Sequence, residues 1–340
     1  MRKTADPQGA LAEELAIERA RTQVQVSSGL LLAGCVLLYC TALANDHTLL
    51  GAAALLLLPF ALIGLAMHAG HNAVHGAFAH GRRANDIGLY AIDWTGVNGR
   101  LWQLRHLEHH KYPNHPQFDP DLDGGGVLDL GPSRPNRWRG LAQACYCLVA
   151  YALVVFKLHV NDDVRFIVGG RIGSRELSGR ERAGLALRSV VGKTVFVGWA
   201  LVLPLAIVPT GLALAAFAYN YAAMGLILSL IFQVAHCNTR VEHETPLPAR
   251  GGDFFRIQTC ATANFRVRSK LVSWYLAGLN LQIEHHLHPS VPHPLLRNKR
   301  EAIRRACDGK QGRYIEYASY LHAFRDHLKF LYQGAPHAAR

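Results

Sequence analysis

Leu62-Ile63-Gly64-Leu65-Ala66-Met67-His68-Ala69-Gly70-His71-Asn72-Ala73-Val74-His75 passes from an uncharged apolar run straight into histidines. The apolar part belongs to residues 48–69, which carry Pro59 in their middle. A run of that length matches the ~20 helical residues that cross a hydrocarbon core of roughly 30 Å. His71 and His75 are four residues apart, so on a helix they share one face. The expectation is a membrane span that delivers imidazoles to one side of the bilayer.

Three further runs have the same character: residues 24–44, 189–208 and 212–235. Asn45-Asp46-His47 separates the first two spans and Pro209-Thr210-Gly211 the last two. The four runs therefore predict two hairpins. Neither turn holds a Lys or Arg, whereas residues 70–188 hold fifteen and residues 236–340 sixteen. Positive residues stay on the cytoplasmic side. Both termini, the middle region and the C-terminal region are thus expected there. Residues 141–158 are also apolar but lack a partner span, and they read as an interfacial or re-entrant helix.

The sequence divides on this basis into a cytoplasmic N-terminal helix (1–23), a membrane domain with a cytoplasmic cap (24–300) and a cytoplasmic helical tail (301–340). The fold class is an all-α integral membrane protein. The first 23 residues include Glu13, Glu14 and Glu18, unlike a signal or transit peptide. Seven cysteines with no CxxC argue for a reduced compartment. A net charge of +12 favours anionic partners such as lipid headgroups or an acidic redox protein. A chain that is 50% hydrophobic is a poor fit to nucleic acid.

The middle region contains Arg105-His106-Leu107-Glu108-His109-His110-Lys111, with three histidines on one helical face if it is helical. The C-terminal region contains Gln282-Ile283-Glu284-His285-His286-Leu287-His288-Pro289. His236 closes the fourth span. The candidate ligands are His71, His75, His106, His109, His110, His236, His285 and His286. Eight imidazoles exceed the four ligands of a usual zinc site and suit two ions. Imidazole accepts Fe, Zn, Cu or Ni, with iron favoured for oxygen chemistry. Glu108, Asp119, Asp121, Asp123 and Glu284 lie beside the clusters and are expected to orient ring N–H groups. No phosphate-binding loop and no GxSxG is present.

With these motifs in order, the chain resembles the membrane fatty acid desaturases of the histidine-box superfamily, nearest the acyl-lipid and front-end branch. His71-Asn72-Ala73-Val74-His75-Gly76 is the first box, His106-Leu107-Glu108-His109-His110 the second, and the stretch headed by Gln282 the third. Lys111-Tyr112-Pro113-Asn114 and Phe118-Asp119-Pro120-Asp121 add to the likeness. The resemblance implies two irons held by the eight histidines, O2 as co-substrate and a bent acyl tunnel. Gln282 stands as an additional ligand or neighbour, with Asn72, Glu108 and Asn280 as further candidates. The substrate would be an acyl lipid or acyl thioester. Electrons would come from a separate protein, a ferredoxin or similar, because no fused haem domain is expected. A bacterial inner membrane is the expected location. Three departures stand out: Asn72 replaces the usual aspartate, His288 replaces a phenylalanine, and the haem domain is missing. A hydroxylase, acetylenase or ketolase on the same centre remains the alternative, with a non-enzymatic receptor and a zinc-dependent membrane hydrolase beyond it.

Overall fold

The computed structural model describes residues 7–132, 135–245, 254–308 and 312–334. The helices that build the fold and its site are α1 (Pro7–Ala44), α2 (Leu49–Leu65), α3 (Gly99–Lys111), α4 (Arg137–Ala152), α5 (Gly179–Val197), α6 (Thr210–His236), α7 (Phe254–Cys260), α8 (Gln282–Leu287), α9 (Leu296–Asp308) and α10 (Tyr320–Gln333). Strand structure among the described residues is confined to two short pairs. One is antiparallel, Arg171–Ile172 with Arg175–Glu176; the other is parallel, Asn264–Phe265 with Glu316–Tyr317.

Four helical stretches are long and apolar enough to cross a membrane: Leu11–Ala44, Leu49–Val74, Gly179–Ile207 and Thr210–His236. Their outer faces are unmistakably apolar. Leu30 and Leu37 on α1 are each 67% exposed, and Val190 on α5 is 64% exposed. Apolar surface of that extent needs lipid around it. α2 is the innermost of the four and packs against both α1 and α6. Thr48 caps it by accepting the Gly51 N–H at 3.2 Å. Two of these helices run well beyond the apolar stretches. α1 is continuous from Pro7, and the expected boundary at residues 23 and 24 falls inside it. α5 begins at Gly179, where Ser178 and Glu181 form a capping box. The boundary at 300 and 301 likewise falls inside α9.

The apolar stretch 141–158 is bent. α4 and the helical continuation Val154–Gly169 meet at 61°. Gly225 of α6 lets this bend approach closely, because a Cβ there would lie 2.7 Å from the Tyr151 and Ala152 carbonyl oxygens.

The end of the second span sets up the site. Residues Ala66–His71 form a π-helical turn before the α-helical register resumes at Asn72. Such a wide turn shifts the angular position of every later side chain, and π-turns favour functional sites. Gly70 allows the turn to pack on Ile92, whose Cγ1 would be 2.5 Å from an added Cβ.

Candidate metal centre

α3 starts at an Asn98 cap, whose side chain accepts the Leu101 N–H at 3.0 Å. It places His106, His109 and His110 in the interior, each buried. The π-turn and its continuation supply His71 and His75, the end of α6 supplies His236, and α8 supplies His285 and His286. All eight expected histidines thus meet in one place. His71, His75, His106 and His285 form one group with candidate ligand atoms within 4.8 Å of one another; His109, His236 and His286 form a second. His110 stands at the junction. Its Nε2 is 3.1 Å from Nε2 of both His106 and His285, while its ring stacks on His286 at 4.1 Å.

The donor set fits a metal. His71 Nε2 lies 3.2 Å from His106 Nε2, so several lone-pair nitrogens converge on shared points. Separations of 3.1–3.2 Å fall between the edges of an octahedron and a tetrahedron drawn with metal–nitrogen bonds of about 2.0–2.1 Å. His75 Nε2, His110 Nδ1, His236 Nδ1 and His286 Nε2 are buried with no hydrogen-bond partner. Each unsatisfied buried polar atom costs about 1–3 kcal/mol, which a bound ion would offset for nitrogens aimed at it. Burial holds the pKa values of His106, His110, His285 and His286 well below the usual histidine range. These imidazoles are neutral and keep the lone pairs a metal needs.

Second contacts fix the rings. His109 Nδ1 faces Asp119, 2.9 Å from Oδ2. Burial is the largest influence on His109 and lowers its pKa, but Asp119 and Asp121 together outweigh it and hold the value above normal. With Nδ1 donating to the carboxylate, Nε2 is left as the ligating nitrogen. Asp119 also accepts the backbone N–H of Asn114 at 2.7 Å and of Asp121 at 2.9 Å. Arg105, on the same helix, braces this loop through Asp121 at 2.8 Å and also pairs with Asp162. His286 Nδ1 donates to Gln258 Oε1 at 2.9 Å, and Gln258 Nε2 donates to the His110 carbonyl at 2.9 Å. Trp102 stacks on His106 at 4.7 Å, and Phe232 stands edge-on to both His71 and His106. These two rings give the first group an apolar wall.

The other expected neighbours divide. Gln282 is buried and hydrogen-bonded to His236, with its Nε2 unpartnered. Glu108 points away from the histidines and accepts the Ser174 N–H and O–H, both at 2.8 Å. Glu284 accepts from Asn264 and Tyr314, at 2.8 and 2.6 Å. Asp123 pairs with Lys157 at 3.4 Å. Asn72 donates to the His68 carbonyl at 2.9 Å and lies 3.0 Å from His293 Nδ1. Asn280 leaves its side-chain oxygen unpartnered. His288 closes α8 with its backbone N–H on the Glu284 carbonyl and belongs to neither group.

The family described as fatty acid desaturase matches residues 46–318, from the first turn to the segment beyond the third histidine cluster. The chain belongs to the fatty acid desaturase family. Its members are oxidoreductases. Relatives of this desaturase-family chain include an sn-1 linoleoyl-lipid 6-desaturase of Synechocystis, 25% identical over 81% of this chain and 78% of the relative. An acyl-lipid (8-3)-desaturase of Physcomitrium patens is 27% identical over 77% of this chain and 55% of the relative. An acyl-lipid (7-3)-desaturase of Rebecca salina is 29% identical over 80% and 61%. The chain thus spans little more than half the length of the latter two.

Two residues of this desaturase-family chain had no advance signal as positioning groups. Gln258 lies outside every box, and its role appears only because α7 runs beside α8. Asn114 takes a left-handed backbone with φ of 57° and sends its amide to the carbonyls of His236, Glu242 and Ala261, at 3.1, 2.9 and 3.2 Å. Asn tolerates that conformation better than most residues.

His236 and His243 differ in a way that experiment can read. His243 donates its Nε2–H to the Asn238 carbonyl, 2.9 Å away, and stacks on Phe330 at 4.5 Å. His236→Ala is expected to lower the metal bound per folded chain together with activity, since one of two groups loses a ligand. His243→Ala is expected to lower thermal stability while leaving bound metal per folded chain within error. Equal metal content in the two variants would remove His236 from the centre.

Proposed function

We propose that this chain inserts a double bond into a fatty acyl chain at a two-iron centre, using O2 and two electrons from a separate protein such as a ferredoxin. The observation that carries the reading is the convergence of eight imidazoles, four of them with buried unpartnered nitrogens, in a member of the desaturase family. His71, His75, His106, His109, His110, His236, His285 and His286 are the proposed ligands, with Gln282 against His236 as a ninth candidate. Bound iron would supply the oxidising power to remove hydrogen from an unactivated methylene. The residues around it do the rest. Asp119 and Gln258 orient His109 and His286, and Trp102 and Phe232 keep water from the first group.

The proposed arrangement is two membrane hairpins, α1 with α2 and α5 with α6, under a cap of α3, α7, α8, α9 and α10 on the cytoplasmic side. The absence of Lys and Arg from both turns supports this sidedness. Between the four spans lies a cavity of about 120 Å³ lined by Leu55, Leu58, Phe217, Asn220 and Met224. Met224 is twelve residues before His236, or about 18 Å along α6. An acyl chain running from the imidazoles toward this cavity would lie in an apolar bed, and its depth would fix which carbon reaches the centre. Misplacement by about 1 Å can cost about 100-fold in rate.

Expression in a host of defined lipid composition, followed by mass spectrometry of its fatty acids with double-bond localisation, tests the proposal. A new double bond at one position is expected. A hydroxylated or keto product would assign the chain to the alternative reactions of the same centre.

A further inference from the structure

We propose that a groove between α1 and the segment from Ser273 to Arg297 receives the phosphate-bearing headgroup of a glycerophospholipid whose acyl chain is the substrate. This rests on the desaturase reading above and adds the carrier to it. A cavity of about 500 Å³ is lined on one side by Thr22, Gln23 and Ser27 of α1 and on the other by Asn280, His293 and Arg297. Through Gln23 and Pro294 it continues into a second hollow of about 360 Å³ that includes Arg19.

The lining is unlike a mere packing gap. It presents two guanidinium groups, and no carboxylate lines either hollow. Among the described residues neither Arg19 nor Arg297 has an ion-pair partner. Of the three acidic residues on this stretch of α1, two are engaged elsewhere: Glu13 with Lys299 at 3.2 Å, and Glu18 with Arg21 at 2.7 Å and with His80 at 2.5 Å. Unpaired Arg groups over hydroxyl and amide donors form the usual recognition set for phosphate.

The depth of the groove selects a lipid over a soluble carrier. Residues 22–27 are where α1 passes into its uncharged stretch, and Val26 on the groove wall is 57% exposed. Facing it is the helix Lys270–Tyr275, which exposes Leu271 and Val272 beside Arg266, Arg268 and Lys270. Exposed apolar side chains flanked by basic ones mark the headgroup level of a bilayer. The mouth therefore opens sideways to lipid. Trp274 ties its floor to α1 by donating its indole N–H to Ser27 Oγ at 3.0 Å.

The back of the groove approaches the centre. Asn280 brings an unpartnered, buried side-chain oxygen to that end. His293 stands edge-on to His68, ring centroids 4.9 Å apart, and His68 belongs to the same π-turn as His71. His293 also lies 3.0 Å from the side-chain amide of Asn72, the residue next to His71.

The test compares wild type with Arg297→Gln and with Arg19→Gln/Arg297→Gln, all full-length and reconstituted in nanodiscs with an electron donor. Acyl phosphatidylglycerol, a neutral galactosyl diacylglycerol and an acyl-CoA with the same fatty chain serve as substrates. A charge-assisted hydrogen bond is worth about 1.5–3 kcal/mol. The double variant should therefore raise KM for phosphatidylglycerol about tenfold or more, with kcat within twofold and little change in KM for the galactolipid. An unchanged KM for phosphatidylglycerol, an equal rise for the galactolipid, or a rise confined to acyl-CoA would each overturn the proposal. Native mass spectrometry of co-purified phosphatidylglycerol reads the same groove without turnover. Loss of bound lipid in the double variant supports the site even if no carrier is desaturated by wild type, a result that would sink only the desaturase reading; equal retention in all variants would sink the groove.

Discussion

His106→Ala is expected to reduce product formation by more than about 100-fold while the protein still inserts and folds. His106 is the ring that links the parts of the first group. Its Nε2 is 3.2 Å from that of His71 and 3.1 Å from that of His110, and its face carries Trp102. Removing it takes away one donor and leaves an opening beside Trp102 through which water can reach the other nitrogens. The spans do not depend on it, because their stability comes from apolar faces set in lipid. Membrane insertion, thermal unfolding and iron content of the purified variant check the assignment. Full activity with normal iron would remove His106 from the centre.

Asp119→Asn should have the next largest effect. The carboxylate is buried and receives His109 Nδ1 and two backbone N–H groups, from Asn114 and Asp121. An amide of the same shape loses the negative charge that makes the ligating nitrogen of His109 more basic, and its NH2 cannot accept. A loss of about 10–100-fold in metal affinity follows, measured as iron retained against a competing chelator. Glu108→Gln is the control, since Glu108 holds Ser174 rather than a histidine. Its metal retention should match wild type. If the two variants lose iron equally, the distinction drawn between the two carboxylates is wrong.

That distinction shows where the sequence stopped being informative. Glu108 and Asp119 both neighbour the second histidine cluster, and proximity along the chain treats them alike. On α3, however, Glu108 projects to the side opposite the imidazoles, while the turn at Asn114 folds Asp119 back under His109. The four spans were legible because an uncharged run of about 20 residues has few other uses. The histidine clusters were legible because their spacings repeat the helical period. The π-turn at Ala66–His71 was not, since a shift of hydrogen-bond register leaves no mark on composition. Nor were Gln258 and Asn114, single polar residues whose partners lie up to 148 positions away. Ser178 and Glu181 did carry a readable signal, the S-x-x-E capping pattern, that places the start of α5 ten residues before the apolar run.

Elemental analysis of purified, active protein tests the central claim most directly. Eight imidazoles in two adjoining groups predict two irons per chain, with iron and activity rising together as the protein is loaded. Stoichiometric zinc, with activity indifferent to iron loading, would contradict the account.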